Sequence, residues 1–598
     1  MKRRNDAELP LYFGPGGELF GLFHPGLERA VATNRVSGVL LCPPLGQDQI
    51  RCHRLYRQLA YALAADGVPT LRFDYYGTGD SAGAGGDVDW ERCMADVVTA
   101  ASELRMRSGV DRVVAFGARL GGTLAMAATS TARFADIVAW DPVLDGGAHA
   151  AQLDAMQAEL GRDSRRFTRP RAAADTAAQW LGFSISDRLR QQITALRFAL
   201  PASALLVLDS LAPASSQKWG QKWGQFAAPQ VTVRQLELPT PWDELPRLEI
   251  AILSHPLIQL VIERLRAGPA AAARAVGVTP VNPAAGAFAE RALRFGRAMH
   301  LVGIAGLPES TKAAAENVGV IVLNAGLVHR IGPFRLHVDM TRRLNASGYP
   351  TLRFDMSTIG DSAASGESQS RRQQIHADVT DAISLLGEQA RCSRFVVIGL
   401  CSGAQNAHQV ACSVSSIVGA VFLDGYAYRT FGHHLRNYLP RLLQAKLWKR
   451  VFTGRHGSSM QGNDAQNNEP IFSVTPLPQA TVRADFAGML DRGLKLCLIY
   501  SGGISTYFNH VRQFRECFGR VVDHPNVSTS YLAGCDHTYV LTGDRKRLID
   551  DIERWLSHHF PTALGAYSWK QSSSPAAPVT SAVTSSSSWW RGANGSSS

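Results

Sequence analysis

The feature that most constrains the fold is a duplication that spans most of the 598-residue chain. The sequence TLRFD at residues 70–74 recurs at 351–355, and GDS at 79–81 recurs at 360–362, each displaced by 281 positions. A further set near the start of each copy is displaced by 282 positions: Phe13-Gly14, Leu19 and Gly21 match Phe295-Gly296, Leu301 and Gly303. Solenoid repeats have periods of about 20–50 residues, so this displacement indicates two copies of a whole domain.

The second copy contains a sharp strand-to-helix turn, Gly399-Leu400-Cys401-Ser402-Gly403. The apolar run at 394–398 predicts a buried strand before it, and residues 404–411 predict a helix after it. In a G-x-S-x-G elbow the central residue lies on a strained turn, which the flanking glycines allow to close. A frame centred on Ser402 would lack both glycines. The spacing therefore predicts Cys401 as a nucleophile; the alternative is a glycine-rich junction in an ordinary α/β domain.

Both copies resemble the α/β-hydrolase fold, most closely its serine aminopeptidase-like and exosortase-associated hydrolase branches. The resemblance rests on the Arg-Phe-Asp…Gly-Asp-Ser stretch, on an elbow in each copy and on the Gly-Cys-Asp-His-Thr-Tyr sequence at 534–539. It covers nearly all of residues 11–266 and 290–560. It implies two tandem α/β domains, each with a mostly parallel sheet flanked by helices and a lid insertion. It also implies acyl hydrolysis as the class of reaction.

The resemblance supplies the other catalytic roles in the second copy. The family's histidine lies in the loop before the last helix, so His537 would be the general base. The usual acid loop, residues 501–507, has no carboxylate, and Asp424 after an earlier strand is the alternative acid. A Cys–His pair can also act without a carboxylate, because a cationic histidine lowers the thiol pKa directly. The backbone N–H groups of Ser402 and Leu327 would bind the oxyanion.

The first copy lacks this chemistry at the matching positions. Its elbow, residues 117–121, carries Arg119 in place of the nucleophile, and a guanidinium cannot attack a carbonyl. Its last loop, residues 236–243, has no histidine opposite His537. We therefore expect a degenerate, inactive domain. Arg119 is either structural or a binding group for a carboxylate or phosphate.

Four carboxylates of the repeated motif occur in both copies, and we expect them to be scaffold residues. Aspartate at the end of a strand commonly accepts N–H bonds in the following turn. Because the inactive copy keeps them, catalysis is the weaker explanation. They are Asp74, Asp80, Asp355 and Asp361.

These landmarks predict four segments along the chain. The first domain spans residues 11–266, and a linker rich in Ala, Gly and Pro spans 267–287. The second domain spans 288–560, with a lid or helical cap at about 426–488. The serine-rich tail, residues 561–598, cannot bury enough apolar surface to fold, so we expect it to be disordered.

Composition narrows the setting and the partners. Nine cysteines without paired spacing, and no histidine cluster beside them, favour a reduced cytoplasmic protein without a metal or other cofactor. The net charge of +12 is spread widely and accompanies no nucleic-acid-binding motif, so we expect no nucleic-acid partner. No apolar run is long enough for a membrane span, and because no apolar core follows the basic residues near the start, we expect no secretory signal. The oligomeric state stays open.

The combined expectation is a hydrolase of ester, thioester or activated amide bonds. It would act through a covalent acyl-cysteine in the second copy, on a small-molecule acyl or peptide-like substrate. Two alternatives remain. The chain could be a non-catalytic scaffold that binds an acyl or anionic ligand, or an acyltransferase whose acceptor is not water.

Overall fold

Each copy of the repeat folds around its own eight-stranded sheet. The computed structural model describes residues 8–26, 37–197, 199–211, 222–224, 227–237, 242–245, 250–268, 289–308, 318–442 and 477–562. Nearly all of the predicted linker and tail, and the middle of the predicted lid, lie outside these residues.

The first sheet and a small ribbon account for the first ten strands. They are β1 Leu9–Phe13, β2 Leu19–His24, β3 Ser37–Cys42, β4 Thr70–Phe73, β5 Arg112–Ala118, β6 Phe134–Trp140, β7 Gln179–Trp180, β8 Phe183–Ser184, β9 Ala204–Asp209 and β10 Val231–Gln235. The second sheet comprises β11 Glu290–Phe295, β12 Leu301–Gly306, β13 Val318–Val322, β14 Thr351–Asp355, β15 Arg394–Leu400, β16 Ile417–Leu423, β17 Lys495–Ser501 and β18 Val527–Leu532.

Both sheets have the same strand order once the ribbon β7–β8 is set aside. The first is β1-β2-β4-β3-β5-β6-β9-β10, and the second is β11-β12-β14-β13-β15-β16-β17-β18. Strand β2 pairs antiparallel with β1 and β4, and β12 does the same with β11 and β14. The other pairs within each sheet are parallel. The prediction of two tandem, mostly parallel α/β-hydrolase sheets is confirmed.

Helices cover both faces of each sheet. The α-helices are α1 Gln47–Ala65, α2 Trp90–Ser108, α3 Leu120–Ala127, α4 Thr129–Ala132, α5 Gly146–Leu160, α6 Asp187–Thr194, α7 His255–Ala267, α8 Leu336–Ala346, α9 Arg371–Ala390, α10 Ser402–Ser413, α11 Phe431–Leu442, α12 Gln479–Asp491, α13 Gln513–Phe518 and α14 Thr542–His559. Short 3₁₀ segments occur at Pro15–Gly17, Gly85–Asp87, Ala173–Asp175, Pro333–Arg335, Gly502–Ile504 and Gly519–Asp523.

Side chains alternate between two cores along the central strands. On β13, Val320 and Val322 join the cluster that includes residues of α8 and α14, while Ile321 joins the cluster that includes residues of α9 and α10. Successive residues of a strand point to opposite faces, so an apolar strand buried on both faces needs helices on both sides. The apolar runs of the central strands therefore determine the layered architecture.

Reciprocal ion pairs between the two copies lie in the buried interface. Arg72 of the first copy contacts Asp361 of the second at 2.7 Å. Their repeat counterparts reverse the arrangement, with Arg353 of the second copy 3.0 Å from Asp80 of the first. Arg353 is completely buried and also contacts Glu290 at 2.6 Å. The same motif residues thus make equivalent contacts from both sides of the interface.

Arg330 lies at the centre of this interface and holds three carboxylates. Its guanidinium is 2.8 Å from each of Asp80, Asp355 and Asp361. Burial alone would raise the pKa of Asp361, but Arg72, His53 and Arg330 hold it well below its usual range. Asp361 is therefore ionised at neutral pH, as the pairing requires.

The remaining repeated carboxylates, Asp74 and Asp355, close turns. Asp74 accepts the N–H of Asp80 at 3.0 Å, and Asp355 accepts the N–H of Asp361 at 2.9 Å. A Cβ on Gly360 would lie 2.2 Å from the Asp355 side chain, and this glycine has a φ of 51°. The Gly-Asp-Ser motif is therefore a turn that presents an aspartate to the opposite copy.

We expect Arg353→Met to lower the free energy of unfolding by about 3–5 kcal/mol, because Asp80 and Glu290 would each lose a buried cationic partner. Urea unfolding, followed by circular dichroism, measures the change. The control is Arg297→Met: Arg297 is 65% exposed and 3.5 Å from Asp381, so its loss should cost less than about 1 kcal/mol. Equal effects of the two variants would show that the buried pairs add nothing beyond a surface pair.

Candidate active site

Cys401 lies on the turn between β15 and α10, with φ of 57° and ψ of −119°. The turn is possible because the residues two positions before and after Cys401 are glycines. A Cβ on Gly399 would lie 2.0 Å from the carbonyl oxygen of Gly403, and one on Gly403 would lie 2.5 Å from that of Asn324. The two glycines are therefore sterically required, and the positive φ of Cys401 is the strained elbow conformation.

The structure brings Cys401, His537 and Asp424 together at the carboxyl ends of the strands. The His537 Nδ1 atom is 2.8 Å from Oδ2 of Asp424. Asp424 is 3% exposed and also accepts bonds from the N–H and the hydroxyl of Ser501, both at 2.6 Å. The Cys401 thiol lies beside the His537 side chain, which lowers the thiol pKa. Since Nδ1 faces Asp424, Nε2 is the nitrogen left to face the thiol.

The charges of the pair favour a thiolate and an imidazolium. Burial raises the pKa of Cys401, but the His537 side chain and the Ser402 N–H outweigh it and lower the thiol pKa below its ordinary value. Burial lowers the pKa of His537, whereas hydrogen bonds to Asp424 and Cys401 raise it well above its ordinary value. Both shifts favour transfer of the thiol proton to the imidazole.

The loop after β13 packs against the elbow through Gly326. Its N–H donates to the Ser402 hydroxyl at 3.0 Å. The next residue, Leu327, has a side chain that is 44% exposed. The predicted oxyanion loop is therefore at the elbow, and Gly326 is the residue whose N–H reaches it. The sequence reasoning had no signal to separate these two neighbouring amides.

The first copy keeps the same geometry with different chemistry. Arg119 has φ of 51° and ψ of −126°, close to the angles of Cys401. Asp141, the counterpart of Asp424, accepts the Ser210 N–H at 2.7 Å and the Trp242 indole N–H at 2.8 Å. The indole thus occupies the role that the His537 imidazole has beside Asp424. Sequence reasoning missed Trp242 because it searched the last loop for a histidine, whereas an indole N–H also donates to a carboxylate.

A second cluster of possible metal ligands lies apart from these three residues. His408 and Cys412, one turn apart on α10, gather with Asp485 of α12, and their ligand atoms lie within 4.8 Å of one another. The His408 Nε2 atom is 3.4 Å from the Asp485 carboxylate, which accounts for the cluster as a histidine–carboxylate contact. Sequence reasoning did not predict this cluster because Asp485 is far from His408 and Cys412 in the chain.

The first copy also contacts the loop that carries His537. These contacts come from residues 146–194, here called the first cap, which includes α5, the β7–β8 ribbon and α6. Arg171 donates to the carbonyl of Gly534 at 2.8 Å and to the carboxylate of Asp544 at 3.2 Å. Arg166 lies 3.5 Å from the carboxylate of Asp536, the residue before His537. The copy without a nucleophile therefore supports the histidine loop of the other.

The comparisons with known proteins agree with the fold. Residues 51–167, in the first copy, match the family model described as Hydrolase_4: Serine aminopeptidase, S33. This match agrees with the α/β-hydrolase fold that the strand order of both sheets defines. No curated protein matches the chain. None of the described helices is long and apolar enough to cross a membrane.

Solved structures similar to this chain include several hydrolases. An esterase from Pyrococcus furiosus is 17% identical with a TM-score of 0.32, over 48% of this chain and 96% of its own. An α/β serine hydrolase without a lid from Xanthomonas campestris is 18% identical with a TM-score of 0.27, over 45% and 99%. A proline iminopeptidase from Mycobacterium smegmatis is 16% identical with a TM-score of 0.28, over 45% and 98%.

We expect Arg171→Ala to loosen the His537 loop. The amides of Thr538 and Val540 are held by the Asp536 carboxylate at 3.1 and 2.6 Å. Loss of a charged hydrogen bond should raise their exchange with deuterium by roughly tenfold or more. Arg169→Ala, an exposed arginine in the same segment, is the matched control. Unchanged exchange in the Arg171 variant would show that the first cap merely touches this loop.

Proposed function

We propose that the second copy hydrolyses ester, thioester or activated amide bonds through a covalent acyl-cysteine on Cys401. The observation that carries the proposal is the arrangement of the three side chains: His537 lies beside the Cys401 thiol and is hydrogen-bonded to Asp424. A nucleophile on a strained elbow, a base in contact with it and a buried carboxylate orienting that base are the three parts of acyl-transfer catalysis.

The proposed reaction begins with attack of the Cys401 thiolate on the substrate carbonyl carbon. The carbonyl π electrons move to oxygen, which becomes a tetrahedral oxyanion. As this intermediate collapses, the bond to the leaving group breaks, and the His537 imidazolium gives the leaving group its proton. A water molecule then attacks the thioester while neutral His537 takes its proton. The second collapse releases a carboxylic acid and restores the thiolate–imidazolium pair.

The oxyanion would be stabilised by two backbone N–H groups. The N–H of Ser402, the first residue of α10, already acts to lower the thiol pKa, so it lies beside the sulfur. Of the two amides considered for the second donor, we favour Gly326 over Leu327, because the Gly326 N–H reaches the elbow at Ser402. The Gly326 N–H now donates to the Ser402 hydroxyl. It would donate instead to the negatively charged oxygen of the intermediate, which is the stronger acceptor.

The first copy would contribute no covalent step. Arg119 has no lone pair for attack, and the Trp242 indole, which donates to Asp141, cannot take up a proton as a base. Arg119, Trp242 and Asp141 therefore keep the arrangement of Cys401, His537 and Asp424 but cannot perform the same reaction. Support of the His537 loop is the contribution of this copy to the proposed reaction.

We expect Cys401→Ala to abolish hydrolysis of p-nitrophenyl acetate, with a loss of at least about a thousandfold in kcat/KM. Ser402→Ala is the matched control. It leaves the sulfur, the base and the backbone donors in place, so most of the activity should remain. A thermal melt checks that both variants are folded, and peptide mass spectrometry locates the acetyl group in acid-quenched native protein.

Three results would contradict the proposal. Retained turnover in Cys401→Ala would exclude the elbow cysteine as nucleophile. Absence of any acetyl adduct or turnover in the native chain would favour the non-catalytic alternative. An acetyl group that stays on Cys401 in water, and leaves only when an amine or alcohol is added, would favour the acyltransferase.

We expect His537→Ala to slow the alkylation of Cys401 by iodoacetamide at pH 6, by roughly tenfold for each unit by which the thiol pKa rises. The His537 side chain lowers the pKa of Cys401 and so increases its thiolate fraction, and removal of the imidazole leaves burial to raise the pKa. Cys412 is an internal control, because it is also partly exposed and burial raises its pKa to about 11. Equal rates at Cys401 in the native and variant chains would disprove the ion pair.

A further inference from the structure

A cavity of about 120 Å³ remains at the elbow of the first copy. A single water needs only about 10–15 Å³, so the cavity has room for much more than one solvent molecule. Arg119 and Leu120 of the elbow line it, together with residues of the first cap. Phe334, Arg335 and Arg545 of the second copy close its other side. The cavity therefore occupies the position of an active site but is completed by both copies.

Arg119 is a buried cation with weak partners. Its side chain is only 9% exposed, yet its bonds to the Asp141 carbonyl and to His149 Nδ1 are long, both at 3.4 Å. Within the described residues its Nε has no hydrogen-bond partner, and the Asp48 carboxylate oxygen is 3.7 Å away. The Trp242 ring, whose centroid is 5.4 Å from the guanidinium carbon, and the Asp48 carboxylate replace only part of the hydration that a buried guanidinium loses. An anion in the cavity would supply the missing acceptor.

The other titratable groups around the cavity do not provide Arg119 with a close anionic acceptor. His149 is neutral, because burial and the charge of Arg119 lower its pKa to about 3. Asp48 is shared, lying also 3.9 Å from Arg51, and burial raises its pKa although both arginines oppose this. Asp141 is already bonded to Ser210 and Trp242.

The two arginines from the second copy are bound to neutral acceptors. Arg335 donates to three backbone carbonyls of the first copy, those of Gly79, Ser81 and Gly83, at 2.7–2.9 Å. Arg545 donates to the carbonyls of Gly182, Tyr539 and Val540, at 2.5, 3.0 and 2.9 Å. The only carboxylate beside them in the lining is Asp339, which lies 3.7 Å from Arg335 and is 42% exposed. The cavity is thus lined by three guanidinium groups and two carboxylates.

Much of the remaining lining is apolar, although Gln47, Thr78, Gln152 and Ser184 also contribute to it. Aromatic and aliphatic side chains from both copies surround the space beyond Arg119: Leu153, Met156, Trp180, Phe183, Ile193 and Phe334. Such walls favour a hydrocarbon body and disfavour a fully hydrated ion such as phosphate. A ligand that suits both the Arg119 end and the apolar walls of the cavity has one anionic group and an apolar body.

We propose that the elbow of the first copy is a non-catalytic binding site for an apolar carboxylic acid. Its carboxylate accepts from Arg119, and its hydrocarbon part lies between the first cap and Phe334. The site does not depend on the proposed reaction, because none of its residues belongs to the Cys401 centre.

The experiment is calorimetric titration of the full chain with octanoate, octan-1-ol and inorganic phosphate. Octanoate should bind at least about tenfold more tightly than octan-1-ol, which lacks the charge, and than phosphate, which lacks the chain. Arg119→Gln should raise the Kd for octanoate by about tenfold or more. The matched control, Arg234→Gln, removes an exposed arginine of β10 in the same domain and should leave the Kd unchanged.

Two further variants locate the ligand. Leu153→Trp fills the cavity without touching Arg119 and should also abolish binding, which covers the case in which Arg119→Gln does not fold. Cys401→Ala should bind octanoate as the native chain does, because the site is separate from the second elbow. Octanoate that does not bind, that binds no better than octan-1-ol, or that binds both cavity variants normally would overturn the proposal.

Discussion

The pairing of Arg72 with Asp361, and of Arg353 with Asp80, is the contact on which the arrangement of the two copies depends. Each pair is buried, and a buried charge that loses its partner costs several kcal/mol. The pairs are reciprocal: the arginine of each copy contacts the aspartate of the other, as in a symmetric dimer. Arg330 completes the network by holding carboxylates from both copies. The two domains therefore pack together as one folded unit.

This arrangement explains how a copy without a nucleophile remains useful. The interface places the first cap against the loop of His537, where Arg171 and Arg166 contact residues 534–544. It also places Arg545 between that loop and the first cap, since its guanidinium bonds carbonyls of both. The first copy can therefore support the His537 loop without a reactive group at its own elbow. The Asp141–Trp242 bond and the Asp424–His537 bond have the same length, 2.8 Å. The first copy therefore keeps the geometry of this contact, although an indole cannot act as a base.

Much of the architecture could be predicted from the sequence, because local patterns encode it. The repeat predicted two copies, and the apolar strand runs predicted layered sheets, which the strand orders confirm. The glycines around Cys401 predicted a strained turn, and its φ of 57° is the conformation they permit. The roles of Trp242, Gly326 and Arg171 could not be predicted. Each depends on a contact between residues far apart in the chain, and none of them lies in a motif.

The sequence by itself determined which residues can react, because thiol, imidazole and carboxylate chemistry belongs to the side chains of Cys401, His537 and Asp424 wherever they lie. Only the tertiary structure decided which of them meet and in what state of charge. The thiol pKa is lowered because His537 lies beside it, and the imidazole keeps its proton because Asp424 is buried against it. The sequence likewise determined that Arg119 cannot be a nucleophile. Only the interface places Arg119 at a cavity shared by both copies, because the lining residues range from its neighbour Leu120 to Arg545 of the second copy.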